Sequence, residues 1–135
     1  NIGFFVKSPK EYYFDLDPIR IPYDEETKKA RTRSIFVGKK WLEIGYNPKD
    51  IWSIARIHAQ DPERQNHPTQ KPYKLIERLV LMLSNEGDVI FDNFAGSGTL
   101  GEVCINTNRE CILIEKDVEY FELIKNRLDK YKFFV

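Results

Sequence analysis

Residues 88–101 read Asp-Val-Ile-Phe-Asp-Asn-Phe-Ala-Gly-Ser-Gly-Thr-Leu-Gly, and this stretch decides the fold. Val89, Ile90 and Phe91 make a short apolar run of strand-forming residues with turn residues on both sides, which predicts a buried strand. Gly96 and Gly98 then permit a tight turn and a close approach of backbone to ligand. Past the glycines, Leu100, Val103, Cys104 and Thr107 recur at helical spacing. A strand, a glycine loop and a helix N-terminus place free backbone N–H groups around one small site, which suits an anionic group such as phosphate or carboxylate.

Two ligands compete for such a loop. Gly96, Gly98 and Gly101 satisfy the dinucleotide pattern G-x-G-x-x-G, and Glu115 lies about twenty residues on, where an acid takes ribose hydroxyls. That reading implies an NAD-dependent oxidoreductase. Asp92 opposes it. A carboxylate at the strand end repels a pyrophosphate and attracts an ammonium group. S-adenosyl-L-methionine offers an ammonium, a sulfonium, one carboxylate and an adenosine, with no phosphate, and Glu115 serves its ribose equally well. Charge therefore favours a methyl donor over NAD. The plainer alternative for Asp92 is a cap on the turn.

Working outward, Cys111-Ile112-Leu113-Ile114 predicts a second buried strand ending at Glu115. Asp117 is a good N-cap, with Glu119 in the first turn of the helix that follows. Val118, Phe121, Ile124 and Leu128 mark one face of that helix, while Lys125, Arg127 and Lys130 are expected outside it or near its C-terminal end. Upstream, Leu75, Ile76, Leu79, Val80, Met82 and Leu83 form a broad apolar face, begun by Pro72 and stopped by Ser84-Asn85-Glu86-Gly87. His67-Pro68-Thr69-Gln70-Lys71 precedes it, a polar cluster that is either a carboxylate cradle or an ordinary helix cap. From residue 72 the order is α-β-α-β-α, with a right-handed parallel β-α-β unit.

The N-terminal part is less patterned. Residues 2–23 hold two apolar runs, Ile2 to Val6 and Tyr12 to Leu16, around a Lys-Ser-Pro-Lys turn, which suggests a β-hairpin. Tyr12 to Phe14 fit a core, with stacking on bases as the alternative. Lys28, Lys29, Arg31, Arg33, Lys39 and Lys40 arrive with no acid among them. They are either a solvated face or a phosphate-contacting one. Asp50-Ile51-Trp52 is expected to be a packed apolar anchor. His58 and His67 stand far from Cys104 and Cys111, which is no zinc spacing.

Composition bounds the rest. At 135 residues one domain is expected. Lys+Arg and Asp+Glu are both 21, which excludes a globally basic nucleic-acid protein while allowing a local basic face. Two cysteines make no disulfide framework, and a reduced, cytoplasmic setting fits. No apolar run is long enough to span a bilayer as a helix. The first residue is Asn1, which points to a piece of a longer protein.

His67-Pro68-Thr69-Gln70-Lys71-Pro72 followed by Asp92-Asn93-Phe94-Ala95-Gly96-Ser97-Gly98-Thr99 resembles the amino-methylating DNA methyltransferases, which act on adenine N6 or cytosine N4. The first stretch looks like their motif X and the second like motif I, in the order of the β arrangement. Ile114-Glu115-Lys116-Asp117 looks like motif II. The resemblance implies an α/β chain with a partial Rossmann-like methyltransferase fold: a parallel sheet core, flanking helices and an N-terminal β or irregular segment. It divides the chain into a hairpin of the core at 1–23, a target-recognition or DNA-contact segment at 24–66, and an S-adenosylmethionine-binding subdomain at 67–135. It also implies residue roles. Asp92 lies near the methionine ammonium, and Phe94, Ala95, Gly96, Ser97, Gly98 and Thr99 wrap the donor. Glu115 takes the ribose hydroxyls, and Lys116 flanks the adenine. Thr69 to Lys71, behind His67 and Pro68, sit near the carboxylate.

The family's catalytic motif, Asp/Asn/Ser-Pro-Pro-aromatic, is absent from this sequence; Asp17-Pro18-Ile19 and Asp61-Pro62-Glu63 match only its first two positions. The implied partners are double-stranded DNA and a missing N-terminal half, or a complementary chain that carries the motif. A homodimer is possible on this reading, a membrane is not, and a restriction-modification or epigenetic system is the setting. A non-catalytic donor- or DNA-binding subunit is the rival that the missing motif permits.

Overall fold

Val89–Asp92 and Glu110–Leu113 form β1 and β2, two parallel strands paired Val89 with Glu110 through Asp92 with Leu113. The computed structural model that contains them describes residues 2–32 and 39–131. It divides into two units, Asn1–Trp52 and Ser53–Val135. The expected breaks at residues 23 and 66 are not where the units part. Residues 63–65 are tied to the next helix: Gln65 N–H donates to Gln70 Oε1 at 2.7 Å, and Gln70 Nε2 donates to the Glu63 carbonyl at 2.7 Å. Glu63 Oε1 also accepts the Tyr73 N–H, capping that helix from outside.

In the C-terminal unit the β-α-β reading holds. Helix α3 (Tyr73–Leu83) leads into β1, α4 (Thr99–Asn106) crosses over to β2, and α5 (Val118–Asp129) follows. The expected cap is in place, with Asp117 Oδ1 accepting from Glu119 N–H at 2.9 Å. Val80, Leu100, Val103 and Cys104 form the core, and Tyr73, Ile76, Ile90, Cys111 and Leu113 pack on it. Helix α4 is the central element, in contact with β2, α3 and α5. At Gly101 the missing side chain makes room for the tips of Leu113 and Leu128, so the helix lies close to both neighbours. Strand alternation sends Ile90, Cys111 and Leu113 inward and leaves Val89, Phe91 and Ile112 exposed on the other face. The strands are thus covered on one face only and are not fully buried as the sequence suggested.

Helix α5 corrects one expectation. Its buried residues are Ile124 and Arg127, with Tyr120, Leu123 and Leu128 half-buried, whereas Val118 and Phe121 are exposed. The inner face is rotated from the one the apolar residues mark, and an arginine in the last turn is buried on it.

In the N-terminal unit the hairpin is not formed. Among the described residues of 2–23 there is one 3-10 turn, Asp17–Ile19, and a single antiparallel bridge from Ile21 to Tyr46. Pro9, Pro18 and Pro22 cannot donate to a ladder, and Asp15 Oδ1 instead takes the Asp17 N–H at 2.9 Å. Tyr12, Tyr13 and Phe14, expected in a core, are exposed, as is Ile51. Phe4 touches both Tyr12 and Phe14 at 5.7 Å between ring centroids. Two short helices stand where pattern was weakest: α1 (Glu25–Thr32), capped by Asp24, and α2 (Lys39–Ile44). Among the described residues no helix is long and apolar enough to cross a membrane.

Candidate functional site

At the end of β1 the backbone turns back over itself. Asp92 Oδ1 accepts the Phe94 N–H at 2.9 Å, so the turn cap is real. The strand ladder continues past β2, with Ile114 N–H donating to the Asp92 carbonyl at 2.9 Å and Ala95 N–H to the Ile114 carbonyl at 3.0 Å. This sets Glu115 beside the glycine turn. Glu115 Oε1 accepts the Asp117 N–H at 3.0 Å, and Oε2 accepts the Gly96 N–H at 2.8 Å. These two donors hold its carboxyl below the usual carboxylate range. Each oxygen keeps a further lone pair for a ligand.

Gly96 and Gly98 have φ of +54° and +73°, in the left-handed region that favours glycine. A side chain at Gly96 would also stand 3.1 Å from the His67 ring. That ring packs edge-on against Tyr120 at 4.3 Å, and its Nδ1 accepts the Thr69 N–H at 3.3 Å. Burial lowers the His67 pKa against the pull of nearby Glu115, so the imidazole is neutral around pH 7.

The two stretches that stand apart in sequence meet here. His67, Thr69, Gln70, Lys71, Asp92, Phe94, Ala95, Gly96, Ser97 and Thr99 line one open cleft. Gly98 is buried behind it as the N-cap of α4. Pro68, Glu115 and Lys116 are outside its wall, although Glu115 is bonded to Gly96. Not every wall residue offers its side chain. Gln70 has both ends of its amide taken by residues 63 and 65. Lys71 Nζ donates to the Thr69 carbonyl at 2.7 Å and keeps two further hydrogens for a ligand. Ser97 and Thr99, each 4% exposed, turn their hydroxyls inward, while Phe94 is 83% exposed at the rim.

What they turn toward was not visible in the sequence. Arg127 reaches the back of the turn from α5, donating to the Ser97 carbonyl at 2.9 Å and to Thr99 Oγ1 at 3.1 Å. Glu102 on α4 pairs with Arg127 and also accepts from Lys130 Nζ and Tyr131 OH, each at 2.6 Å. Burial pushes the Glu102 carboxyl up, and these donors outweigh it, holding it at about 2. The acid is ionised at any ordinary pH.

The basic residues belong to the other unit. Lys28 is paired with Glu25 at 2.6 Å, and Arg31 lies over the Tyr23 ring at 4.9 Å. Lys29 and Lys40 are exposed, Lys39 opens α2, and Arg33 lies outside the described residues. Among the described residues no group of His, Cys, Asp and Glu is placed to hold a metal ion.

Known proteins share this arrangement of sequence. The chain is 41% identical over 129 residues to the type II methyltransferase M.HpaI of Haemophilus parainfluenzae, covering 96% of this chain and 38% of that protein. It is 38% identical over 132 residues to the DNA adenine methyltransferase YhdJ of Escherichia coli, covering 95% of this chain and 44% of that protein. A crystal structure titled as an M1.HpyAVI–SAM complex is 39% identical with a TM-score of 0.49, covering 61% of this chain and 41% of that one. The chain thus spans about two-fifths of the length of these relatives. The pattern of the DNA methylase family matches residues 1–126, nearly the whole sequence, and with relatives this similar over almost all of its length the chain belongs to that family.

Proposed function

We propose that this chain is the donor-binding portion of a DNA methyltransferase that moves the methyl group of S-adenosyl-L-methionine to an exocyclic amine, adenine N6 or cytosine N4. The observation that carries the reading is the meeting of residues 67–71 with the 92–99 turn around one cleft, with Glu115 beside it. Asp92 Oδ1 is engaged by the turn, and its other oxygen faces the ammonium of the donor. Glu115, ionised and fixed by two backbone donors, takes the ribose hydroxyls. Thr69 and Lys71 face the methionine carboxylate, Phe94 covers the rim, and Lys116 flanks the adenine. When bound, the donor supplies a methyl group on a sulfonium, open to in-line attack by the amine.

The amine is a weak nucleophile because its lone pair is delocalised into the base. An acceptor must hold its hydrogen, and the base must leave the duplex to reach the methyl group. Those tasks belong to the Asp/Asn/Ser-Pro-Pro-aromatic motif, which is absent from this sequence. The chain alone therefore transfers no methyl group. Lys28, Lys29, Arg31, Arg33, Lys39 and Lys40 contact DNA phosphates rather than bases. A restriction-modification system is the setting that the names of the type II relatives suggest.

Calorimetric titration tests the donor reading. S-adenosyl-L-methionine should bind, and Asp92→Ala and Glu115→Ala should each weaken it by about ten- to a hundredfold, the loss of one charge-assisted or two neutral hydrogen bonds. An analogue lacking the amino group should bind Asp92→Ala and wild type alike. NAD binding more tightly than the methyl donor would overturn the proposal.

A further inference from the structure

Arg127 is the most enclosed charge near the cleft, with its side chain 1% exposed. Its guanidinium grips two things at once. Nε and Nη2 donate to Glu102 Oε2 at 2.8 and 2.5 Å, and Nη1 donates to the Ser97 carbonyl and Thr99 Oγ1. A buried ion pair is a weak source of stability compared with apolar packing of the same volume. Here the pair aims a planar fork at the inner surface of the glycine turn, where geometry and not charge is at stake.

The Thr99 hydroxyl shows where that geometry goes. It has one hydrogen and two lone pairs. It accepts from Arg127 Nη1, lies 3.1 Å from Ser97 Oγ, and donates to the Lys71 carbonyl at 3.3 Å. With Ser97 Oγ as the donor of the middle bond, its capacity is full. The hydroxyl therefore has nothing to offer a ligand. It joins Arg127 on α5 to the backbone of Lys71, across the cleft from the turn.

We propose that Arg127 is a positioning residue for the methyl donor: held in place by Glu102, it fixes through Thr99 and Ser97 the spacing between the 67–71 wall and the glycine turn. This rests on the donor-binding reading above. Arg127 and Thr99 act on the ligand without touching it. Loss of either widens or loosens the cleft and weakens binding of the donor, while the methyl-transfer step and DNA binding remain nearly as they were.

The test is made on the complete enzyme, with S-adenosyl-L-methionine affinity read by calorimetry and donor KM and kcat read separately. Thr99→Val, which keeps shape and removes the hydroxyl, and Arg127→Lys, which keeps charge and removes the fork, should each raise the donor Kd and KM about tenfold, as for one hydrogen bond to a charged group. Turnover at saturating donor should change less than about twofold. Thr99→Ser should restore the affinity. The double variant should be little worse than either single one, because both cut the same connection. Lys125→Ala, at an exposed ion pair with Glu122, should leave binding unchanged. Should Arg127→Lys fail to fold, the contrast of Thr99→Val with Thr99→Ser decides alone. Wild-type affinity in Thr99→Val, or a double variant weakened a hundredfold, overturns the inference while leaving the donor reading intact. Wild type that binds no methyl donor overturns both.

Discussion

The two units of this chain are held together in opposite ways. In residues 53–131 the bonds reach far along the sequence: Asn106 to Tyr73 spans 33 positions, Arg127 to Ser97 spans 30, and Arg109 to Ser84 spans 25. In residues 2–52 they are mostly local, as Asp24 with Thr27, Glu25 with Lys28 and Asp17 with Arg20. Buried apolar side chains follow the same division. Val80, Leu100, Val103, Cys104 and Ile124 are inside the first of these, whereas the second buries Ile19 and Leu42 and exposes Phe4, Phe5, Tyr12, Phe14 and Trp41. Long-range bonds over a shared core fix atoms to the accuracy that a small-molecule site needs. Local bonds on short helices present charge without fixing it so closely.

This contrast can be broken at several points. The largest effect is expected at Arg127. Arg127→Met leaves the Ser97 carbonyl without its donor and Glu102 with only Lys130 and Tyr131 as partners, so urea unfolding of the chain should show a loss of about 2–3 kcal/mol. A loss under about 1 kcal/mol would mean that the long-range network is decoration. Gly98→Ala comes next. It forces a side chain into a left-handed residue 3.1 Å from Ile124, and should cost about 1–2 kcal/mol by the same measurement. The smallest effect on stability belongs to the other unit. Lys29→Ala with Lys40→Ala should stay within about 0.5 kcal/mol of wild type. In the complete enzyme the same pair should weaken DNA binding alike for every sequence and flatten its salt dependence, by roughly 0.9 in log–log slope for each phosphate that is no longer neutralised. A changed site preference with an unchanged slope would show that these lysines read bases.

What the sequence disclosed and what it concealed follow the same line. The strand, the glycine turn and the crossover helix were legible because each is written in consecutive residues, and the Asp117 cap lies within three positions of its targets. The roles of Gly96 and Gly98 were legible as turn glycines, and their positive φ agrees. Arg127 was rightly expected near the C-terminal end of its helix, but its burial was missed because periodicity ranks residues by hydrophobicity. Its partners, Glu102 and Ser97, are 25 and 30 positions away, and no local signal couples them. The N-terminal hairpin failed for a related reason. Strand-forming residues such as Phe4, Tyr12 and Phe14 state a preference, but a strand needs a partner ladder, and three prolines and an aspartate turn interrupt the one on offer. The basic run likewise looked free of acids only because Glu25, one turn before Lys28, precedes it.

The pairing of β1 with β2 has a consequence for how this part of the chain can change length. Asp92 faces Leu113, and two further backbone bonds carry the register to Glu115. The two acids are therefore placed by counting from the same ladder. One residue inserted within β2 would turn every later side chain to the opposite face and bring Ile114 to the place of Glu115. An insertion at Asn108, the exposed residue of the connection from α4, adds only a slowly growing closure entropy and leaves the count intact. Among homologous chains, insertions and deletions should therefore collect before Glu110 and be excluded from there to Asp117.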